Sequence, residues 1–145
     1  DLGFNYRMNE IQAALGLSQL KRLDKIINRR NLLYKKYKDF LIDIPAEILE
    51  IPENVFSSVH LAIIRLNKKQ NYNEVFNQMR EKGIGVQLHY YPVHLQPYYK
   101  KLGFKKGDFP FAEDYSSSSF SLPLYPELKF SDLKRITTIL KKILK

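Results

Sequence analysis

The sequence has 145 residues, of which 44% are hydrophobic and 13% aromatic, a composition that fits one globular domain with a sizeable core and argues against intrinsic disorder. It contains no cysteine, which excludes disulfides and thiolate metal sites. Because it shows neither a secretory signal nor an apolar run of membrane-spanning length, we expect a cytoplasmic protein without a membrane partner.

The formal charge of +9 results from 24 basic and 15 acidic residues. Such a charge can attract nucleic acid, acidic lipid or a phosphorylated substrate. The lysines and arginines are spread along the whole chain rather than gathered in one arm, which is typical of a solvated surface. Charge alone therefore gives no reason to expect a nucleic-acid partner.

The first predicted element is one long helix from Met8 to about Leu41, which lacks proline and carries apolar residues at helical spacing. We expect it to be bent or subdivided near Gly16. Its first half is apolar almost all round, with Ile11, Ala13, Ala14, Leu15, Leu17 and Leu20. A helix of this kind has to be buried from more than one side. It is therefore either an ordinary core helix or part of a subunit or domain interface.

The next predicted element is a buried strand, Val59–Leu66, rich in aliphatic and β-branched residues. It follows a linker-like passage that Pro45 and Pro52 bracket. His60 lies inside the predicted strand, and we interpret it as a structural histidine rather than a ligand.

A helix and a second strand are predicted after this one. Asn71 with Glu74 has the spacing of a capping box, and Gly83 stands where a helix C-cap is expected. Val86–Tyr90 then reads as a strand that Pro92 stops. A strand, a helix and a strand in this order predict an α+β fold with helices on one face of a sheet.

The last third of the chain begins with an aromatic, turn-rich passage, Tyr91–Phe111. A short helix over Ala112–Ser118 and an extended piece over Phe120–Leu124 are predicted next. Ser131 is expected to cap a final amphipathic helix.

Complete catalytic sets are absent from the sequence: it has no glycine-rich phosphate loop, no metal-ligand cluster and no nucleophile elbow. The segment His89–His94 nevertheless brings two imidazoles and two phenols to a predicted strand end. Loops at strand ends often carry binding groups, and these side chains can donate to phosphate or to sugar hydroxyls. The alternative is an aromatic loop that folds onto its own domain, and the residues alone leave both interpretations open.

The loop Asn5-Tyr6-Arg7 is the second candidate site, because it leads directly into the apolar helix. An amide and a guanidinium held at a helix start can recognise a phosphate or another anion. The alternative is that Asn5 is a turn residue and that Arg7 belongs to a surface ion pair.

Three segments, in order and spacing, resemble the C-terminal portion of the DegT/DnrJ/EryC1/StrS sugar aminotransferases, a family of pyridoxal-phosphate (PLP) enzymes. The first is Gly3–Met8 with Ala13–Leu20, the second is Gly83–His94, and the third is Ala112-Glu113 with Ser121–Pro123. Within the family, the pattern is most similar to that of the transaminases of pseudaminic acid synthesis, which act on a UDP-linked 4-keto-6-deoxy sugar. The resemblance covers nearly all of the chain.

The resemblance implies the C-terminal small domain of a fold-type-I aminotransferase, in which a long N-terminal helix precedes a small antiparallel-rich sheet covered by helices. Its domain organisation would be a connecting and interface helix over residues 1–41 and an α+β domain over residues 42–145. The resemblance also implies a homodimer with active sites at the subunit interface.

The resemblance further assigns roles to individual residues. In such enzymes the asparagine of the Gly-x-Asn-x-Arg motif reaches the PLP phosphate of the partner subunit or the bound sugar nucleotide. This role falls on Asn5, and an anion-binding role falls on Arg7. Sugar-nucleotide binding falls on Gln87, Leu88, His89, Tyr90 and His94.

The family's catalytic lysine lies upstream of the asparagine motif, and no lysine of this chain has the matching position. We therefore expect these 145 residues to supply interface and substrate contacts but no catalysis on their own. The whole enzyme would take its amino group from a donor such as glutamate and pass it to the keto sugar through PLP. The alternative is a non-catalytic module for dimerisation or for binding an anion or nucleic acid.

Overall fold

The structure is a computed structural model that describes residues 6–145, so that Asn5 lies outside the described residues. The helices are α1 (Glu10–Leu20), α2 (Leu23–Phe40), α3 (Tyr72–Glu81), α4 (Pro97–Lys101), α5 (Pro110–Ser118) and α6 (Phe130–Ile143). The strands are β1 (Ala46–Ile48), β2 (Ala62–Leu66) and β3 (Ser119–Leu122), and a single 3-10 turn spans Val93–Leu95. This mixture of helices and a small sheet confirms the predicted α+β class.

The sheet has the order β1-β2-β3, with both neighbouring pairs antiparallel. Paired residues point to the same face, which gives the sheet two different faces. Ile64 pairs with Phe120, and both are fully buried in the core. Arg65 pairs with Glu47 on one side and with Ser119 on the other, so that this face carries polar side chains.

Three helices, α2, α3 and α6, supply the core that covers the apolar face. Their buried apolar residues are Leu33, Tyr34 and Tyr37 of α2, Val75 and Met79 of α3, and Leu133, Ile136 and Leu140 of α6. Each set recurs at helical spacing, which is why these helices form and face inward. Tyr37 is completely buried, and its hydroxyl donates to the Pro123 carbonyl at 2.8 Å, which ties α2 to the end of β3.

The N-terminal helix is subdivided, but at a different place from the predicted one. Gly16 remains helical within α1, and the interruption falls at Lys21 and Arg22, where the Arg22 amide donates to the Gln19 carbonyl at 3.0 Å. The physical reason is tertiary: α2 turns its apolar stripe into the core, whereas α1 buries no residue. The prediction of a division near Gly16 was therefore wrong.

The predicted second strand, Val86–Tyr90, is reduced to one isolated bridge. Gln87 pairs with Ser121, the Gln87 amide donating at 3.3 Å and the Ser121 amide donating back at 2.9 Å. The bridge is antiparallel, so the residues after Gln87 run back towards Phe120 and Ser119, but no further backbone hydrogen bond joins them to β3 among the described residues. They are consequently irregular backbone at the sheet edge, and the prediction of a full strand was wrong.

Other element boundaries also differ from expectation. Strand β2 begins at Ala62, so His60 precedes it and is exposed, and the linker-like passage supplies the edge strand β1. Helix α6 begins at Phe130, one residue before Ser131, and its N-cap position makes no side-chain hydrogen bond. Such shifts are expected because the first residue of a helix depends on tertiary contacts as well as on capping sequence.

Capping at the other helices was partly predicted. The Asn71 side chain accepts from the Glu74 amide at 3.3 Å, but the Glu74 carboxylate accepts from Gln78 instead of returning to the cap. A reciprocal capping box does occur at α1, between Asn9 and Gln12, and sequence analysis had not singled it out.

Candidate functional site

Arg7 lies two residues before the capping box of α1 and is exposed to solvent. The Gln12 amide donates to Asn9 Oδ1 at 2.9 Å, and the Asn9 amide donates to Gln12 Oε1 at 3.0 Å. These two bonds fix the helix start, so the backbone that carries Arg7 enters a defined geometry. Asn5, the other predicted residue of this loop, lies outside the described residues.

The segment Gln87–Tyr90 lies along the free edge of β3. Gln87 is exposed, and the Ser121 hydroxyl donates weakly to its carbonyl at 3.4 Å. Leu88 and His89 are half-buried, whereas Tyr90 remains 69% exposed. A tyrosine whose ring is this open can offer a hydroxyl and an aromatic face to a ligand.

In this segment His89 has a side-chain nitrogen without a hydrogen-bond partner among the described residues. This nitrogen is Nδ1, and it is buried. Its ring stands edge-on to that of Tyr90, with the centroids 4.6 Å apart. Because buried polar atoms in folded proteins are nearly always paired, this ring nitrogen requires a partner beyond the described residues, which a water molecule or a ligand atom could provide.

His94 has a different environment from His89. It is only 7% exposed, and its Nε2 lies 2.9 Å from Glu113 Oε1. The same carboxylate oxygen accepts from the Gly107 amide at 2.7 Å. The centroid of the Phe109 ring lies 4.9 Å from the centroid of the His94 imidazole. A direct contact between His94 and a substrate would therefore have to compete with this buried pair.

The hydrogen bonds to Glu113 also fix its charge. The Gly107 amide first, and His94 second, hold the pKa of the Glu113 carboxyl below its ordinary value. An ionised carboxylate only accepts hydrogen bonds, so Nε2 of His94 must carry the proton in this contact. In the sequence Glu113 is visible only as part of the family-like segment Ala112-Glu113, because nothing in a spacing of 19 residues indicates the pairing.

Two cavities lie near these elements. One of about 330 Å³ is apolar and is lined by Val93, His94, Tyr99, Phe104, Phe109 and Ala112. The other, of about 540 Å³, lies on the polar face of the sheet and is lined by Glu47, Ile48, Leu49, Glu50, Ile63, Arg65 and Tyr115. The Arg65 guanidinium in the second cavity is already paired with the Asp114 carboxylate. The larger cavity contains none of the predicted site residues.

The structure thus brings some of the predicted residues together and leaves others apart. Gln87–Tyr90 and His94 form one continuous segment beside β3, whereas Arg7 stands at the start of a helix that buries nothing. Within residues 6–145, no hydrogen bond or ion pair joins Arg7 to the Gln87–Tyr90 segment. The described residues also contain no group of three His, Asp or Glu suited to a metal ion, and none of their helices has the length and apolar character to cross a membrane.

Comparison with known proteins supplies the context for this geometry. The spore coat polysaccharide biosynthesis protein SpsC of Bacillus subtilis is 34% identical over 149 residues, which cover 99% of this chain and 38% of SpsC. The structure of Helicobacter pylori PseC, an aminotransferase involved in pseudaminic acid biosynthesis, superposes with a TM-score of 0.90 at 30% identity, over 99% of this chain and 39% of PseC. Spr1654 of Streptococcus pneumoniae, in its PMP form, superposes with a TM-score of 0.89 at 29% identity, over 94% of this chain and 35% of that one.

The chain therefore spans less than two fifths of the length of these three proteins. The family model of the DegT/DnrJ/EryC1/StrS aminotransferases matches residues 1–141, which is nearly the whole sequence. The resemblance seen in the sequence is confirmed, and the neighbouring structures share the PLP-enzyme fold. This chain belongs to the DegT/DnrJ/EryC1/StrS aminotransferase family.

Proposed function

We propose that this chain is the small-domain portion of a PLP-dependent aminotransferase that acts on a sugar nucleotide in the cytoplasm. Its substrate would be a UDP-linked 6-deoxy sugar with a keto group at C4, and its amino donor would be glutamate. The observation that carries the proposal is the superposition on PseC over 99% of the chain, together with a family match over residues 1–141.

Arg7 and Asn5 would form the anion-binding part of the site. We propose that Asn5 contacts the cofactor phosphate or the sugar nucleotide of the partner subunit and that Arg7 contacts an anionic group beside it. What supports this is the exposure of the Arg7 side chain next to a capped helix start. A guanidinium in such a position can donate two parallel hydrogen bonds to a phosphate.

Gln87, Leu88, His89 and Tyr90 would form the part of the site that receives the sugar nucleotide. The support lies in the exposed Gln87 amide, the open phenol of Tyr90 and the orphaned Nδ1 of His89. A sugar hydroxyl can donate to these groups and accept from them, and a phosphate oxygen can accept from the Gln87 amide and the Tyr90 hydroxyl. His94, which the resemblance adds to this set, would take part through the segment rather than through a free ring nitrogen.

The two cavities near the site do not by themselves fit a phosphate-bearing cofactor. The larger cavity carries the carboxylates of Glu47 and Glu50, and its Arg65 is already ion-paired, while the smaller cavity is apolar. We therefore propose that the PLP is held mainly by residues beyond this chain, including the catalytic lysine. When bound, PLP supplies an electron sink for amino transfer. The residues of this chain bind and orient the sugar nucleotide.

Helix α1 would belong to the homodimer interface of the enzyme. It buries no residue, and two of its apolar side chains are open to solvent, with Ile11 81% exposed and Leu15 61% exposed. Helix α2, in contrast, packs into the same core as the sheet. We propose the interface region over residues 1–41 and the small domain over residues 42–145 as the organisation of this part of the enzyme, with α2 connecting the two.

The proposal can be tested with the protein encoded by the longer reading frame and with the 145-residue chain in parallel. The longer protein should aminate a UDP-4-keto-6-deoxy sugar with glutamate as donor, whereas the chain alone should form no borohydride-stable lysine adduct with PLP. A stoichiometric lysine adduct on the chain would contradict the assignment of the catalytic lysine to another region. An inactive longer protein that is loaded with PLP would contradict the substrate.

A further inference from the structure

Residues 96–112 form an excursion from the domain in which no residue is buried, and its least exposed aromatic residues are Tyr99 at 37% and Phe104 at 38%. It includes α4 and leads from the 3-10 turn to the first residues of α5. Exposed segments of this length need internal contacts to hold one conformation. The contacts at its base are therefore informative about what the excursion does.

The base of the excursion is closed by one carboxylate. Glu113 Oε1 accepts from the Gly107 amide at 2.7 Å and from His94 Nε2 at 2.9 Å, and the Glu113 side chain is only 15% exposed. The neighbouring Asp108 carboxylate accepts instead from the Lys105 amide at 2.9 Å. We call the arrangement of His94, Glu113 and Gly107 the clasp.

The clasp is mechanically close to the segment proposed to bind substrate. His94 follows Tyr90 by four residues, and Pro92 between them is buried and fixes the backbone. The Pro92 carbonyl also accepts from the Leu95 amide at 2.9 Å. His94 and Tyr90 are therefore joined by a short stretch of chain whose backbone is restricted at Pro92.

We propose that Glu113 and His94 are positioning residues, which through the clasp set the placement of His89 and Tyr90 toward the sugar nucleotide. This inference rests on the proposed function. Neither residue needs to touch the substrate in order to act in this way. The buried, charge-assisted contact gives the segment a single placement before the ligand arrives, which lowers the entropic cost of binding.

The excursion offers a matched pair of glycines for testing the clasp. Gly107 has φ +98° and Gly103 has φ +100°, and a Cβ on either would meet no atom within 4 Å. Replacement by alanine therefore imposes similar backbone strain at both positions. Of these two glycines, Gly107 donates its amide to the Glu113 side chain, whereas Gly103 donates its amide to the Lys100 carbonyl at 3.1 Å.

The first experiment uses nuclear magnetic resonance on the 145-residue chain. Glu113→Leu removes the acceptor, while Glu113→Gln retains an oxygen that can accept from Gly107. We expect Glu113→Leu and Gly107→Ala to displace the signals of His89 and Tyr90, and Glu113→Gln and Gly103→Ala to leave them nearly in place. Unchanged His89 and Tyr90 signals in both Glu113→Leu and Gly107→Ala would overturn the inference.

The second experiment measures kinetics in the longer protein. We expect Glu113→Leu and Gly107→Ala to raise KM for the sugar nucleotide about tenfold with kcat nearly unchanged, which is the size of one hydrogen bond to a charged group. Gly103→Ala should lower the melting temperature without changing KM. A lower melting temperature with unchanged KM in all variants would overturn the inference. If the wild-type protein shows no transamination, the proposed function fails, and the resonance data still decide whether the clasp places Tyr90.

Discussion

Replacing Leu15 by glutamine in the middle of α1 should weaken self-association of the chain without unfolding it. Leu15 is 61% exposed and lies on a helix that has no buried residue. Leucine and glutamine have nearly equal helix propensity, so the substitution removes apolar surface while it preserves the helix. The substitution should therefore weaken only the contacts that α1 makes with a partner chain, and not the core of its own chain.

The magnitude follows from the exposed fraction. Full burial of a leucine side chain is worth about 1.5–3 kcal/mol, so covering the exposed 61% of Leu15 contributes about 1–2 kcal/mol. In a symmetric dimer both copies are covered, which doubles the contribution to about 2–4 kcal/mol. Since about 1.4 kcal/mol corresponds to a factor of ten, the dissociation constant should rise at least roughly 30-fold.

Sedimentation equilibrium over a wide range of protein concentration measures this change directly. Ser18→Gln is the matched control, because it places the same side chain on an exposed position of α1 and removes no apolar surface. We expect the control to associate like the wild type. A wild-type chain that stays monomeric at the highest concentration, or a Leu15→Gln chain that associates equally well, would refute the interface role of α1.

Three further outcomes follow from the structure. Tyr37→Phe leaves the Pro123 carbonyl without its 2.8 Å donor in the core, and it should cost about 1–2 kcal/mol, seen by calorimetry as a melting temperature lower by roughly 3–7 °C. The pKa of the Glu113 carboxyl is lower in the folded than in the unfolded chain, so its contribution to stability is present above the unfolded pKa and is lost as the pH falls through the folded pKa. Urea unfolding at a series of acidic pH values should therefore show a shallower decline in the free energy of unfolding for Glu113→Gln than for wild type. In the longer protein, Arg7→Ala should weaken binding of the sugar nucleotide or PLP in calorimetric titration more than it lowers the melting temperature, and equal losses would favour a purely structural arginine.

The core helices could be predicted from sequence because each carries its own signal. The apolar spacing of Val75 and Met79 in α3 is visible without knowing the partner, and Gly83 with φ +73° ends that helix as expected. The apolar excess of α1 was equally visible, and the structure leaves that helix without a covering partner. Local periodicity thus predicted the helices that pack inward, whereas the first half of the N-terminal helix was expected to be buried, in the core or at an interface, and α1 buries no residue within the described chain.

Features that depend on pairing between distant residues could not be predicted in the same way. Strand β1 has only three residues and exists because Ala46 and Ile48 find partners in β2. The segment after Val86 was expected to continue as a strand, but it contributes one bridge, from Gln87 to Ser121, a residue more than 30 positions away in sequence. A single segment can show the residue preferences of a strand, but a strand forms only where a second segment pairs with it.

The positions of exposed apolar side chains and of unpaired polar atoms also indicate how the site is organised. The core of the chain is closed, with Tyr37, Ile64 and Phe120 fully buried. Three features lie outside this core: the apolar side chains of α1, the half-buried His89 with its unpaired Nδ1, and the 96–112 excursion, in which no residue is buried. The apolar core is therefore built from contacts within the chain, and these three regions contribute little to it. We infer that folding and function are separated in this chain, so that substitutions in the clasp can change substrate binding while the core remains intact.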